Sequence, residues 1–156
     1  MLKKACLVMI MVVATIALAA CGVLGSSNNP VIEADTFTRV MEAADYFVTE
    51  NDAHENANIG LIALSMERAE FLMFYEFAST SEAEAVFEAG KRQLETMSDS
   101  PEELVYGGNY DFFEMTSGRT YAFIYRVDHV VIEGWTELTA MDEVRELFNR
   151  LKDNTD

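Results

Sequence analysis

The sequence predicts an α+β fold: an antiparallel sheet of about six strands with helices packed on one face, in the order α-β-β-β-α-β-β-β-α. Three observations carry this. Apolar residues recur at helical spacing in three separate segments. Between them lie runs rich in β-branched and aromatic residues, and the last of these runs are joined by connections short enough for hairpins. Strands come in groups rather than alternating singly with helices, which argues for an antiparallel sheet.

In chain order, Phe37, Val40, Met41 and Ala44 place a first helix over 34–45, and a short apolar strand follows at 46–49. The polar stretch 50–58 reads as a loop. Two strands are expected at 59–65 and 70–77, connected by 66–69. In the second, Phe71, Met73, Tyr75 and Phe77 alternate onto one face and Leu72 and Phe74 onto the other, so this strand is central or covered on both sides. Ser81-Glu82-Ala83-Glu84 matches a capping box and starts a second helix with a stripe of Val86, Phe87, Gly90, Leu94 and Met97. Its acids come early and Lys91 and Arg92 later, as the helix dipole prefers. Residues 98–103, with Pro101, end it.

Three β segments are then expected: 104–115, interrupted by Gly107-Gly108; 119–127 after a Thr116-Ser117-Gly118 turn; and 130–136 after Asp128-His129. Two glycines within a strand suggest a bulge or a close approach by ligand or chain. Thr139-Ala140-Met141-Asp142 caps a last helix whose stripe is Val144, Leu147, Phe148 and Leu151.

Ahead of this domain, Lys3 and Lys4 precede a run, 5–18, that is apolar except for Thr15, the layout of an export signal. The run is short of the roughly 20 residues that a membrane-spanning helix needs. It ends in Leu18-Ala19-Ala20-Cys21, which resembles the lipobox of bacterial lipoproteins. The resemblance implies cleavage before Cys21 and attachment of a diacylglycerol and an N-acyl chain to that cysteine. One acyl chain binds a membrane marginally and two hold it stably. The expected organisation is a lipoprotein signal peptide at 1–20, a flexible tether at 21–30 and one α+β domain at 31–156. The alternative is an ordinary signal peptide with a chance cysteine. Once Cys6 has left with the signal, Cys21 is the sole cysteine and no internal disulfide forms.

The mature part holds nine Lys and Arg against 27 Asp and Glu, a formal −18. Nucleic acid is therefore not expected as a partner. The acids are dispersed, which suits a solvated surface better than the sharper alternative, a site for a cation or basic peptide. The domain also resembles small envelope lipoproteins of Gram-positive bacteria of uncharacterised activity, on Ala34 to Phe37, Glu76-Phe77-Ala78, Gly108-Asn109-Tyr110 and Tyr125-Arg126-Val127-Asp128. That resemblance implies a membrane-anchored, extracytoplasmic address and carries over no catalytic residue.

Candidate chemistry is sparse. His54 lies in a loop with Asp52, Glu55, Asn56 and Asn58, yet an EF-hand register beginning at Asp52 puts Ala57 at the glycine position and Ala63 at the bidentate glutamate position. His129 stands in a turn with Asp128, and no second histidine or cysteine is at zinc-ligand spacing. No metal, and no cofactor beyond the covalent lipid, is expected. No Gly-x-Ser-x-Gly elbow occurs. Tyr110, Tyr121, Tyr125 and Trp135, with Arg126, form a candidate binding face if they point outward, the alternative being core packing. Arg126 and Asp128 are expected to share a strand face as a surface pair. The favoured expectation is a non-enzymatic accessory module of the cell envelope, held to the membrane by its lipid, whose sheet binds a protein, peptide or small ligand. The alternative is an envelope hydrolase or metal-dependent enzyme using dispersed carboxylates with His54 or His129.

Overall fold

The computed structural model describes residues 28–65, 67, 69–98 and 103–154; the expected signal peptide, Cys21 and most of the tether lie outside the described residues. Helix α1 (Ala34–Glu42) buries Phe37, Val40 and Met41. It stops short of the expected residue 45 because Asp45 takes a left-handed φ of 64°, a conformation that aspartate tolerates, and turns the chain directly into β1 (Tyr46–Glu50). Strands β2 (Ala57–Ser65) and β3 (Phe71–Phe77) complete an antiparallel meander.

Helix α2 (Thr80–Met97) begins two residues earlier than the expected capping box. Ser79 is the cap: its hydroxyl accepts the Glu82 N–H at 3.3 Å and donates to the Glu82 carboxylate at 3.0 Å. Four strands follow rather than three: β4 (Glu103–Tyr106), β5 (Tyr110–Ser117), β6 (Thr120–Val127) and β7 (Val130–Glu137). The Gly107-Gly108 pair is not a bulge within one strand but the reversal between two. The Gly107 N–H donates to the Tyr110 carbonyl at 2.7 Å, and a Cβ on Gly107 would sit 2.0 Å from the Tyr110 ring. A 3-10 turn (Leu138–Ala140), not a side-chain cap, leads into α3 (Met141–Asp153).

The sheet therefore has seven strands, in the order β1-β2-β3-β7-β6-β5-β4 with all neighbours antiparallel. The element order is α-β-β-β-α-β-β-β-β-α. Because β3 ends mid-sheet and β4 is the far edge, the chain must cross three strands between them, and the 18 residues of α2, roughly 27 Å of helix, make that crossing.

Helices cover both faces of the sheet, not one. On the first face, α1 and α3 bury Phe37, Met41, Val144, Leu147 and Phe148 against Leu72, Phe74, Tyr121, Phe123, Tyr125 and Ile132. On the second, α2 alone buries Ala83, Phe87 and Leu94 against Tyr75, Phe113, Ala122, Ile124 and Val131. The two-faced alternation expected of β3 holds: Leu72 and Phe74 enter the first layer, Tyr75 and Phe77 the second. Met97, expected on the buried stripe of α2, is exposed at the end of the helix.

Candidate functional site

On the first face, α1 packs on β1, β2 and β3 and touches α3, which leans on β7. Strands β4 and β5 project past this cover. Between them and the flank of α3 lies a half-open cleft of about 550 Å³. Its floor is a run of aromatic rings. Phe148 of α3 stacks on Phe112 at 6.0 Å, tilts against Phe123 at 5.1 Å and meets Tyr125 edge-on at 4.9 Å; Tyr110 continues the row at 6.1 Å from Tyr125. Residues i and i+2 on a strand share a face, which is why Tyr121, Phe123 and Tyr125 all reach this side.

Charge at the two ends of the cleft is organised differently. At one end Glu114, 7% exposed, accepts the Tyr121 hydroxyl at 2.7 Å and the Arg145 guanidinium through both carboxylate oxygens, Nε at 3.2 Å. The guanidinium also lies over the Tyr121 ring, 5.3 Å from its centre. Burial, then the bonded Glu114 carboxylate, pushes the Tyr121 hydroxyl well above its ordinary pKa, so it stays a donor. At the other end Lys152 Nζ lies 4.8 Å from the centre of the Phe148 ring, and burial lowers its pKa.

The chain entering the domain is tied to this end of the cleft. Asn29 donates from its amide to Asn109 Oδ1 at 2.9 Å and from Nδ2 to the Tyr125 hydroxyl at 3.0 Å, and accepts from Asn109 Nδ2 at 2.8 Å. Burial pushes the Tyr125 hydroxyl up to about 12. Asn29 falls within the segment read as flexible tether, so ordered contact begins before residue 31.

The structure brings together three of the five residues proposed as a binding face. Tyr110, Tyr121 and Tyr125 all line the cleft, the last two as its buried floor. Trp135 does not: it pairs with Ala122 and stands on the α2 face, stacked on Phe71 at 6.4 Å. Arg126 is also on that side, and it is buried rather than part of a surface pair. Its guanidinium binds Asp111 at 2.6 and 2.7 Å across β5 and β6, and Asp128 offers it only a backbone carbonyl.

The α2 face carries a second recess, which the residue types alone did not point to. A groove of about 390 Å³ runs between α2 and strands β3 and β7, lined by Phe71, Met73, Trp135, Val86 and Leu94, with Glu133 in its floor. Burial raises the Glu133 pKa. His54 sits at the rim, edge-on to Tyr75 at 4.4 Å, and burial lowers its pKa. The loop before β2 is folded onto this face rather than left in solvent: Asn51 Nδ2 donates to the Tyr75 hydroxyl at 2.8 Å, and a Cβ on Gly60 would lie 2.0 Å from the Asn51 carbonyl oxygen.

Neither histidine shows a hydrogen bond or ion pair with a carboxylate among the described residues, and no group of three His, Cys, Asp or Glu there is placed to hold a metal ion. The His129 carbonyl accepts the Phe77 amide at 2.9 Å, a structural role in the β6–β7 turn.

No protein-family model and no curated protein matches the chain. Among solved structures the fold is similar to the crystal structure of a GTP binding regulator from Thermotoga maritima, with a TM-score of 0.54 over 80% of this chain and 93% of that one. Sequence identity is 18%, so the likeness extends to the α+β architecture.

Proposed function

We propose that this chain is an extracytoplasmic lipoprotein anchored through acyl chains on Cys21, and that its domain is a non-enzymatic binding module of the cell envelope whose site is the aromatic cleft between α3 and β4–β6. The observation that carries the binding reading is the cleft itself: Tyr110 and Phe112 stay partly exposed beside a buried floor of Tyr121, Phe123, Tyr125 and Phe148, and together they line an open recess of about 550 Å³, the size of a small-ligand site. The address rests on the charge-then-apolar N-terminus and the Leu18-Ala19-Ala20-Cys21 string.

The position of Asn29 links the two. It lies eight positions after Cys21, a reach of at most roughly 28 Å at ~3.5 Å per residue, and it is bonded at the mouth of the cleft. A lipid on Cys21 thus holds the cleft within that distance of the membrane surface. The occupant that suits the lining is a flat apolar group, from a small ligand or an envelope protein's side chain, with hydroxyl and basic groups at the ends for polar contacts.

Palmitate labelling and membrane fractionation of the wild type beside Cys21→Ala test the address. A labelled, membrane-bound wild type and an unlabelled precursor in the variant are expected; an unlabelled wild type would remove the lipoprotein reading. For the cleft, 2-naphthol is expected to shift the ring resonances of Phe112 and Phe148, and Asn149→Trp, which fills the cleft from its exposed rim, to abolish the shifts. Unchanged shifts in that variant would place the binding elsewhere.

A further inference from the structure

The groove on the α2 face stands apart from the cleft and poses a separate question. Its walls are apolar: Phe71 and Met73 from β3, Trp135 from β7, Val86 and Leu94 from α2. Glu133 lies in this lining, on a central strand, with no hydrogen-bond donor and no cation assigned to it among the described residues. The other acids drawn into the molecule are treated differently. Glu114 has Arg145 and Tyr121, Glu70 has the hydroxyls of Tyr46 and Thr136, and Asp111 has Arg126. Glu133 keeps part of its contact with solvent, yet a carboxylate even partly withdrawn from water without such partners carries a cost that pairing would relieve.

Gly90 adds a second observation. A Cβ there would clash with Ile124 Cδ1 at 2.6 Å, so the glycine lets the middle of α2 settle on β6, and the same close approach sets the helix within contact distance of the carboxylate, 3.5 Å from that Cβ position to Glu133 Oε1. Glycine inside a helix costs roughly 0.5–1 kcal/mol relative to alanine. His54, the other titratable group at the rim, is disposed to be neutral by its burial and does not supply the missing charge. Gln93 is the remaining polar side chain of the lining.

We propose that this groove binds an organic cation, a primary ammonium or guanidinium group on an apolar body, with Glu133 as its counter-ion and Trp135, Phe71 and Met73 holding the body. A carboxylate among aromatic walls suits such a group on both counts, since aromatic faces attract cations while their area shelters methylenes. The chain's formal charge of −16 works in the same direction by raising the local concentration of cations around the protein. A free amine and the basic side chain of a partner peptide share this chemistry.

Trp135 is the chain's single tryptophan, so its fluorescence reports on the groove directly. The full chain is titrated with n-hexylammonium, 1-hexanol and hexanoate. A saturable change with hexylammonium is expected, at least tenfold weaker with hexanol and absent with hexanoate. Glu133→Gln is expected to weaken hexylammonium about tenfold or more and to leave hexanol unchanged. As a variant safe for folding, Ala89→Lys places a tethered ammonium on the exposed lip of the groove and is expected to compete with the probe. Equal responses to hexylammonium and hexanol, or a hexylammonium response untouched by both substitutions, would overturn the proposal. A lysine-containing hexapeptide that displaces hexylammonium would assign the site to a peptide partner; displacement by free amines alone would assign it to a small molecule.

Discussion

The two faces of the sheet are covered from opposite ends. On one, α1 and α3 lie over β1, β2, β3 and β7, α3 reaches β5 through Phe148 and Arg145, and β4 is left open; on the other, α2 lies over β3, β5, β6 and β7 and leaves β1 and β2 open. Each face therefore has a recess where its cover stops, yet the two recesses differ in how they treat charge. In the α1/α3 cleft the buried Glu114 is closed into a network with Arg145 and Tyr121. In the α2 groove Glu133 is left open. The difference separates charge that holds the structure together from charge held ready for something else.

The largest test of this contrast compares a ring from each recess. Phe148 is buried against three other rings, so Phe148→Ala is expected to cost about 3–5 kcal/mol. Trp135 is half-buried on a groove wall, and Trp135→Ala is expected to cost under about 2 kcal/mol, because the ring is only partly withdrawn from water. Urea unfolding measures both. Equal losses would mean that the groove is simply part of the second core.

A comparison of the two glutamates is expected to differ in sign. Glu114→Leu strands a guanidinium and a buried hydroxyl and should lose about 1–3 kcal/mol. Glu133→Leu removes a partly desolvated carboxylate and strands nothing among the described residues, so it should be neutral or stabilising by up to about 1 kcal/mol. A large loss at Glu133 would show that it has a partner in the folded chain and would weaken the case for an external cation.

Much of this architecture was legible in the residues, and the misses have physical causes. Alternation in β3 and the stripe of α3 announce themselves because each periodicity has a single geometric meaning. Periodicity shows which side of a helix is buried but not which face of the sheet receives it, so helices on both faces could not be told from helices on one. Gly107-Gly108 permits a bulge or a reversal alike; the reversal follows from pairing, Leu104 with Phe113 and Tyr106 with Asp111. The proposed aromatic face divided for a similar reason. Tyr121 and Tyr125 share parity on β6, but the β6–β7 register sets Trp135 opposite Ala122 and so on the other side. Glu133 carried no local signal at all, since one acid among 27 becomes distinctive only when the fold brings α2, whose Gly90 lies 43 positions earlier, alongside it.

The finest test is the pH dependence of stability, where two groups of one groove pull in opposite directions. Burial raises the Glu133 pKa above its ordinary 4.5, so the folded chain holds that proton more tightly than the unfolded chain does. Its contribution to stability therefore falls as pH rises from about 4.5 toward the folded value. Burial lowers His54 below its ordinary 6.5, so its contribution is present above that pH and is lost as pH falls through the window beneath it. Urea unfolding between pH 4 and 8 should then show Glu133→Gln gaining on the wild type as pH rises, while His54→Gln, which cannot take up the proton, gains on the wild type as pH falls below 6.5. A Glu133→Gln difference that stays flat with pH would mean that the carboxylate ionises as readily in the groove as in the unfolded chain. The cost that an arriving cation is proposed to relieve would then be absent.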